Sequence, residues 1–112
     1  MTPSKHSERL YLADILEAID KILGYTSAGK EAFLSDSRSQ DAVLRNVEII
    51  GEAVRGVTEG TRAVHPEVPW REMAGMRDRV IHDYFRVDLD VVWDVVSQDL
   101  RLLWEKIVDL VG

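Results

Sequence analysis

The sequence contains no cysteine. That removes disulfide staples, thiolate nucleophiles and cysteine-ligated metal sites, and it fits a reducing compartment, so the expected location is the cytoplasm. Long apolar runs are missing too. None approaches the roughly 20 residues that span a bilayer. The opening Met1-Thr2-Pro3-Ser4-Lys5-His6-Ser7-Glu8 has no apolar stretch of the kind a secretory signal carries. Strand-type alternation is absent, which steers the reading away from sheets. Positive charge is scarce: 14 Lys and Arg stand against 20 Asp and Glu, a net −6. That balance argues against a protein that coats nucleic acid by bulk charge.

What remains is ordinary for a small globular protein. The 112 residues suit a single domain, expected over 1–112. At this size folding buries about two-thirds of the unfolded chain's surface. Association with a second copy would add burial that one copy lacks.

Helical spacing dominates. From Ser7 to about Tyr25, Leu12, Ile15, Leu16, Ile19, Ile22 and Leu23 form one apolar stripe. Gly24 and Gly29 bracket a break, and a short helix is expected over Lys30 to Leu34. Ser37-Arg38-Ser39-Gln40 fits a capping box. Behind it Val43, Val47, Ile50, Val54 and Val57 predict a second long helix ending near Gly60, with Gly51 inside it as a point of close approach. Thr61 to Pro69 reads as the one true loop, because Pro66 and Pro69 stop helix propagation. A third helix is expected from Trp70 to about Tyr84. Asp88 can cap a fourth, whose face is Leu89, Val92, Trp93, Val96, Leu100, Leu103, Trp104 and Ile107. The fold class is therefore all-α, an antiparallel bundle of four long helices with one short extra.

The arginines are not spread evenly. Residues 60–86 carry Arg62, Arg71, Arg77, Arg79 and Arg86 against four acids, while the segments on either side are net acidic. A small anion-handling site in an acidic shell has this pattern, and so does a solvated arginine face. Within the stretch, Arg77, Asp78, His82 and Tyr84 fall in eight residues. On an ideal helix Asp78 and His82 stack at i,i+4, so the carboxylate can orient the imidazole and favour its cation. Arg77 and His82, five apart, diverge by about 140°. Two copies of the helix meeting across a twofold axis would bring them together better than one.

No residue cluster has metal-ligand spacing, and there is neither a nucleophilic serine motif nor a glycine-rich phosphate loop. Metal-free RNA cleavage needs none of these. The substrate supplies its own nucleophile, the 2′-hydroxyl. The protein supplies a base, an acid and positive charge for the transition state. Histidine serves both proton roles, and the arginine fork suits phosphate oxygens.

The run Arg77-Asp78-x-x-x-His82-x-Tyr84 resembles the signature of HEPN proteins, with the tyrosine two beyond the histidine resembling the HepT branch. Glu48-Ile49-Ile50-Gly51-Glu52-Ala53, Pro69 to Arg77, and Val87-Asp88-Leu89-Asp90-Val91-Val92-Trp93 resemble its flanks, so the likeness covers about residues 8 to 107. It implies a HEPN-like helical bundle forming a homodimer, with Arg77 and His82 of both copies facing a shared cleft. The implied activity is endoribonuclease action without metal or other cofactor, in some members on tRNA. Arg77 would hold the scissile phosphate, His82 would be the acid–base group and Asp78 would orient. The implied partner is a minimal nucleotidyltransferase antitoxin of the MntA type, which transfers AMP to the motif tyrosine, here Tyr84. Without the family, Tyr84 reads rather as a helix-end residue with a buried ring and a wet hydroxyl. The competing functional reading is a non-catalytic dimeric module that binds RNA or a nucleotide beside a nucleotidyltransferase, or serves it purely as a structural partner. The acidic balance favours those readings, since a free nuclease gains from positive steering.

Overall fold

The computed structural model describes residues 5–83 and 86–111, by backbone alone at 5–7, 81–83 and 86. Its first helix, α1 (Lys5–Tyr25), buries Leu12, Ile15, Ala18, Ile19 and Ile22, while Leu16 and Leu23 pack at the edge of the core. Each buried leucine or isoleucine side chain contributes about 1.5–3 kcal/mol. The helix ends where the Thr26 hydroxyl donates to the Ile22 carbonyl at 2.8 Å. Gly29 follows with φ of 100°, a left-handed geometry that glycine adopts without steric cost. The short α2 (Lys30–Leu34) then buries Phe33, whose ring tilts against Trp93 at 5.8 Å.

The second long helix, α3 (Ser37–Arg55), starts one residue earlier in the capping scheme than the sequence implies. Asp36, not Ser37, is the cap. Its carboxylate accepts from the Arg38 amide at 3.1 Å and from the Ser39 hydroxyl at 2.8 Å. Gln40 reaches back to the Phe33 and Leu34 carbonyls instead of closing a box. A charged acceptor satisfies the orphan amides better than a hydroxyl. The expected stripe is buried throughout: Val43, Val47, Ile50, Val54 and Val57. Gly51 faces the Ala74 carbonyl, but a methyl group there would rest at ordinary contact distance, 3.4 Å, so the approach does not require glycine.

The helix stops at Arg55 rather than near Gly60, and the expected loop contains a helix, α4 (Glu59–Val64). Thr58 caps it through its own hydroxyl. Glu8 of α1 adds a cap from afar, accepting from the Thr58 amide at 2.7 Å and the Thr61 hydroxyl at 2.9 Å. This contact and the Tyr11 ring lying over Gly56 set the start of α1 beside the end of α3, so the two helices run antiparallel.

The third long helix is not formed as one rod. It is split into α5 (Trp70–Ala74) and α6 (Met76–Val80), joined through Gly75 at φ −91°, ψ 4°. Helical bonding persists across the joint, from the Arg79 amide to the Gly75 carbonyl at 3.2 Å. Beyond Val80 the backbone becomes extended: β1 (Ile81–Asp83) pairs antiparallel with β2 (Arg86–Val87), with Ile81 opposite Val87 and a bulge before Asp83. Two adjacent β-branched residues, Val80 and Ile81, favour that turn to extended backbone. The Asp88 amide closes the ribbon onto the Val80 carbonyl at 3.0 Å. His82 therefore sits in a strand, and the helical stacking of Asp78 on His82 is not the arrangement found.

Asp88 caps the last helix as expected, accepting from the Val91 amide at 3.1 Å. That rod comprises α7 (Leu89–Asp94), a π-helical stretch Val95–Asp99 and α8 (Leu100–Val111). Val92, Val96, Leu100, Leu103 and Ile107 are buried, with Trp93 and Trp104 at the core's edge. Among the described residues the long rods are thus three, packed around one apolar core, with α5 and α6 laid across α3. Among the described residues the regular elements are all helical save for the five strand residues of the ribbon that carries His82.

Candidate active site

Arg77, Asp78 and Arg79 are consecutive on α6, and their side chains part company. Arg79 turns toward the last rod and meets Asp99 at 3.2 Å, on the rim of a hollow of about 310 Å³ that includes Met73, Met76, Leu102 and Leu103. Arg77 turns the other way. Its Nε stands 3.5 Å from Glu48 Oε1 of α3, and its Nη1 stands 3.7 Å from the neighbouring Asp78 carboxylate.

That second side is the larger concavity. A groove of about 910 Å³ runs between α1, α3 and the α5–α6 pair. Tyr11 and Asp14 line it from α1, Arg45, Glu48, Glu52 and Arg55 from α3, and Ala74, Arg77 and Asp78 from the far wall. Along α3 the row Arg45, Glu48, Glu52, Arg55 follows helical spacing, so all four side chains share one face. Arg55 pairs with Glu52 at 3.2 Å, and Arg45 reaches Glu48 at 4.0 Å. The groove's guanidiniums thus already face carboxylates. A phosphate entering it must compete with Glu48 and Asp78 for Arg77. Asp78 is the weaker competitor, since its side chain is 82% exposed against 39% for Glu48.

The five arginines of the middle segment do not form one face. Arg77 enters the groove and Arg79 the opposite hollow, while Arg71 is exposed on α5. Arg62 on α4 has a buried Nε with no hydrogen-bond partner. Arg86 belongs to β2. Of the site residues expected from the sequence, Arg77 and Asp78 come together at the groove's lip. His82 follows within β1, two residues past the end of α6. Tyr84 lies outside the described residues. Among the described residues, no group of three or more His, Asp or Glu side chains could hold a metal ion. Sequence reading passed over Glu48 as a site residue. No local signal in the sequence could have found it, since the arginine it meets lies 29 positions further along the chain.

The model of the family described as ribonuclease HepT-like matches residues 15–110, a span that takes in the groove's α3 wall, Arg77, Asp78, His82 and Tyr84. The chain belongs to the HepT-like family. Among similar proteins is one from Thermococcus cleftensis, named a probable ribonuclease HepT, 48% identical over 103 residues that make up 91% of this chain and 94% of that one. Another, from Methanocaldococcus jannaschii and provisionally named an RNase, is 38% identical over 96% of this chain and 93% of its own. A third, from Caldanaerobacter subterraneus and named in the same provisional way, is 35% identical over 91% and 92%. No solved structure matches the chain significantly. The HepT-like match agrees with the reading of the Arg77-to-Tyr84 run in the sequence. It also gives a family setting to the groove, whose lip holds the first half of that run.

Proposed function

We propose that this chain is the toxin of a HepT–MntA type toxin–antitoxin pair, a metal-independent endoribonuclease acting on RNA, with tRNA as the first substrate to test. The observation that carries the reading is the half-exposed Arg77 guanidinium at the lip of the groove, in a chain of the HepT-like family. In the reaction, the ribose 2′-oxygen attacks the adjacent phosphorus as its proton passes to a base, and the 5′-oxygen of the next nucleotide leaves with a proton from an acid. The products are a 2′,3′-cyclic phosphate and a free 5′-hydroxyl. His82 is the acid–base group, since imidazole titrates near neutrality. Arg77 binds the phosphate and offsets the charge that builds on its oxygens. Asp78 orients the site rather than reacting, and its carboxylate stands 3.7 Å from Nη1 of Arg77.

The active form is a homodimer whose two copies of Arg77 and His82 face one cleft. The partner is a minimal nucleotidyltransferase that moves AMP from ATP to the Tyr84 hydroxyl with release of pyrophosphate. The added anionic bulk two residues from His82 repels an RNA phosphate. The decisive experiment incubates the purified chain with total tRNA in EDTA. Cleavage by the wild type, and its loss in Arg77→Ala and in His82→Ala, is the expected result; cleavage that needs added metal or survives both substitutions refutes it.

A second reading has one observation in its favour. The groove holds Asp14, Glu48, Glu52 and Asp78 against Arg45, Arg55 and Arg77, and the whole chain is net −6. Such a surface steers RNA poorly and suits a non-catalytic dimeric module that partners the nucleotidyltransferase. Intact RNA in the EDTA assay, together with stable co-purification with that partner, would favour it.

A further inference from the structure

We propose that Glu48 is the positioning residue for Arg77, holding its guanidinium side-on so that the terminal nitrogens face the groove. The inference rests on the ribonuclease reading and adds a residue to it. Glu48 Oε1 stands 3.5 Å from Nε of Arg77, the one guanidinium nitrogen that is not terminal, while its other oxygen stands 4.0 Å from Nη1 of Arg45. One carboxylate therefore lies between two guanidiniums from two different elements.

The two sides of the pair differ in how firmly they are mounted. Glu48 projects from the middle of a 19-residue helix whose Val47 and Ile50 are fully buried. Three residues on, Gly51 faces the Ala74 carbonyl, so Glu48 stands on the face of α3 that meets the α5–α6 pair. Arg77 projects from a five-residue helix between Gly75 and the ribbon, and a long arginine side chain has many rotamers to lose. The fixed carboxylate selects one orientation of the loosely mounted cation. Asp78 does not serve this purpose, because it sits on the same short helix and moves with Arg77. Exposed ion pairs of this kind add little to stability, so Glu48 acts on where the guanidinium points rather than on whether the protein folds.

The test compares Glu48→Ala, Glu48→Gln and the control Glu17→Ala, which breaks only an exposed pair with Lys21 on α1. Two readouts are taken on the full chain. The first is the ¹⁵N signal of the Arg77 Nε–H group, assigned by its loss in Arg77→Ala. The second is the kcat and KM for cleavage of the RNA that the wild type cuts. In Glu48→Ala the Nε–H signal should collapse to that of a mobile arginine and kcat should fall about 10- to 100-fold, the scale of a misplaced binding group, with KM less affected. Glu48→Gln, which keeps an oxygen acceptor at the same reach from Nε, should keep the ordered signal and most of the activity. An unchanged Arg77 signal in Glu48→Ala overturns the proposal. So does a Glu48→Gln protein that keeps Arg77 ordered yet is as inactive as Glu48→Ala. Faster cleavage by Glu48→Ala also overturns it, by making Glu48 a competitor of the phosphate. If the wild type cuts no RNA, the ribonuclease reading fails alone, and the Nε–H comparison still decides whether Glu48 holds Arg77.

Discussion

Arg77 and Arg79 are two positions apart and serve opposite sides of the molecule. The first meets Glu48 across a groove, and the second is tied to Asp99 at 3.2 Å. On a helix, neighbours two apart point about 200° from each other, so composition alone could not say which arginine enters the groove. The proposed modification also belongs at the residue scale. When the chain is co-expressed with the proposed nucleotidyltransferase partner, intact mass is expected to rise by whole AMP increments, and Tyr84→Phe is expected to remove them. Increments that persist in that variant place the modified residue elsewhere.

At the scale of elements, the feature with the clearest physical handle is the long-range cap on α4. Hydrogen bonds from Thr58, joined by that from Thr61, hold the Glu8 carboxyl below its ordinary value of 4.5. Asp36, which caps α3, is lowered by its hydrogen bonds to Ser39 and the Arg38 amide. A carboxyl whose folded value lies below its unfolded one stabilises the fold above the unfolded value, and that contribution disappears as pH falls through the folded one. Thermal stability is therefore expected to be level around neutrality and to drop below about pH 4.5. Glu8→Gln should lower Tm at pH 7 and flatten the acid decline, and a parallel decline in the two proteins would count against the cap. Sequence reading missed this element because its partners are 50 and 53 positions apart. Only a folded chain brings Glu8 to Thr58, whereas the caps it did anticipate, such as Asp88, act within a few residues.

At the scale of the whole molecule, the proposed active form has two copies of Arg77 and His82 facing one cleft. Helix α6 ends at Val80 and His82 continues in a strand, so the two residues belong to different elements of each copy. If a site takes its arginine from one copy and its histidine from the other, mixing inactive Arg77→Ala and His82→Ala proteins under subunit exchange restores cleavage. No recovery in dimers shown to be mixed would place both residues of a site in the same copy.

The sequence by itself determined the helical class, the apolar stripes of α1, α3 and the last rod, and the short helix at Lys30–Leu34. These follow from spacings of three and four and from residue types, which act locally. Tertiary structure decided the rest. It split the third helix at Gly75 and turned the chain into a ribbon at Ile81, because the Val87–Asp88 segment returns to pair there. It made a helix of part of the expected loop by sending Glu8 to cap it. It also set Glu48 against Arg77, a meeting of residues 29 positions apart that depends on α3 and α6 packing face to face and so has no local signal to read.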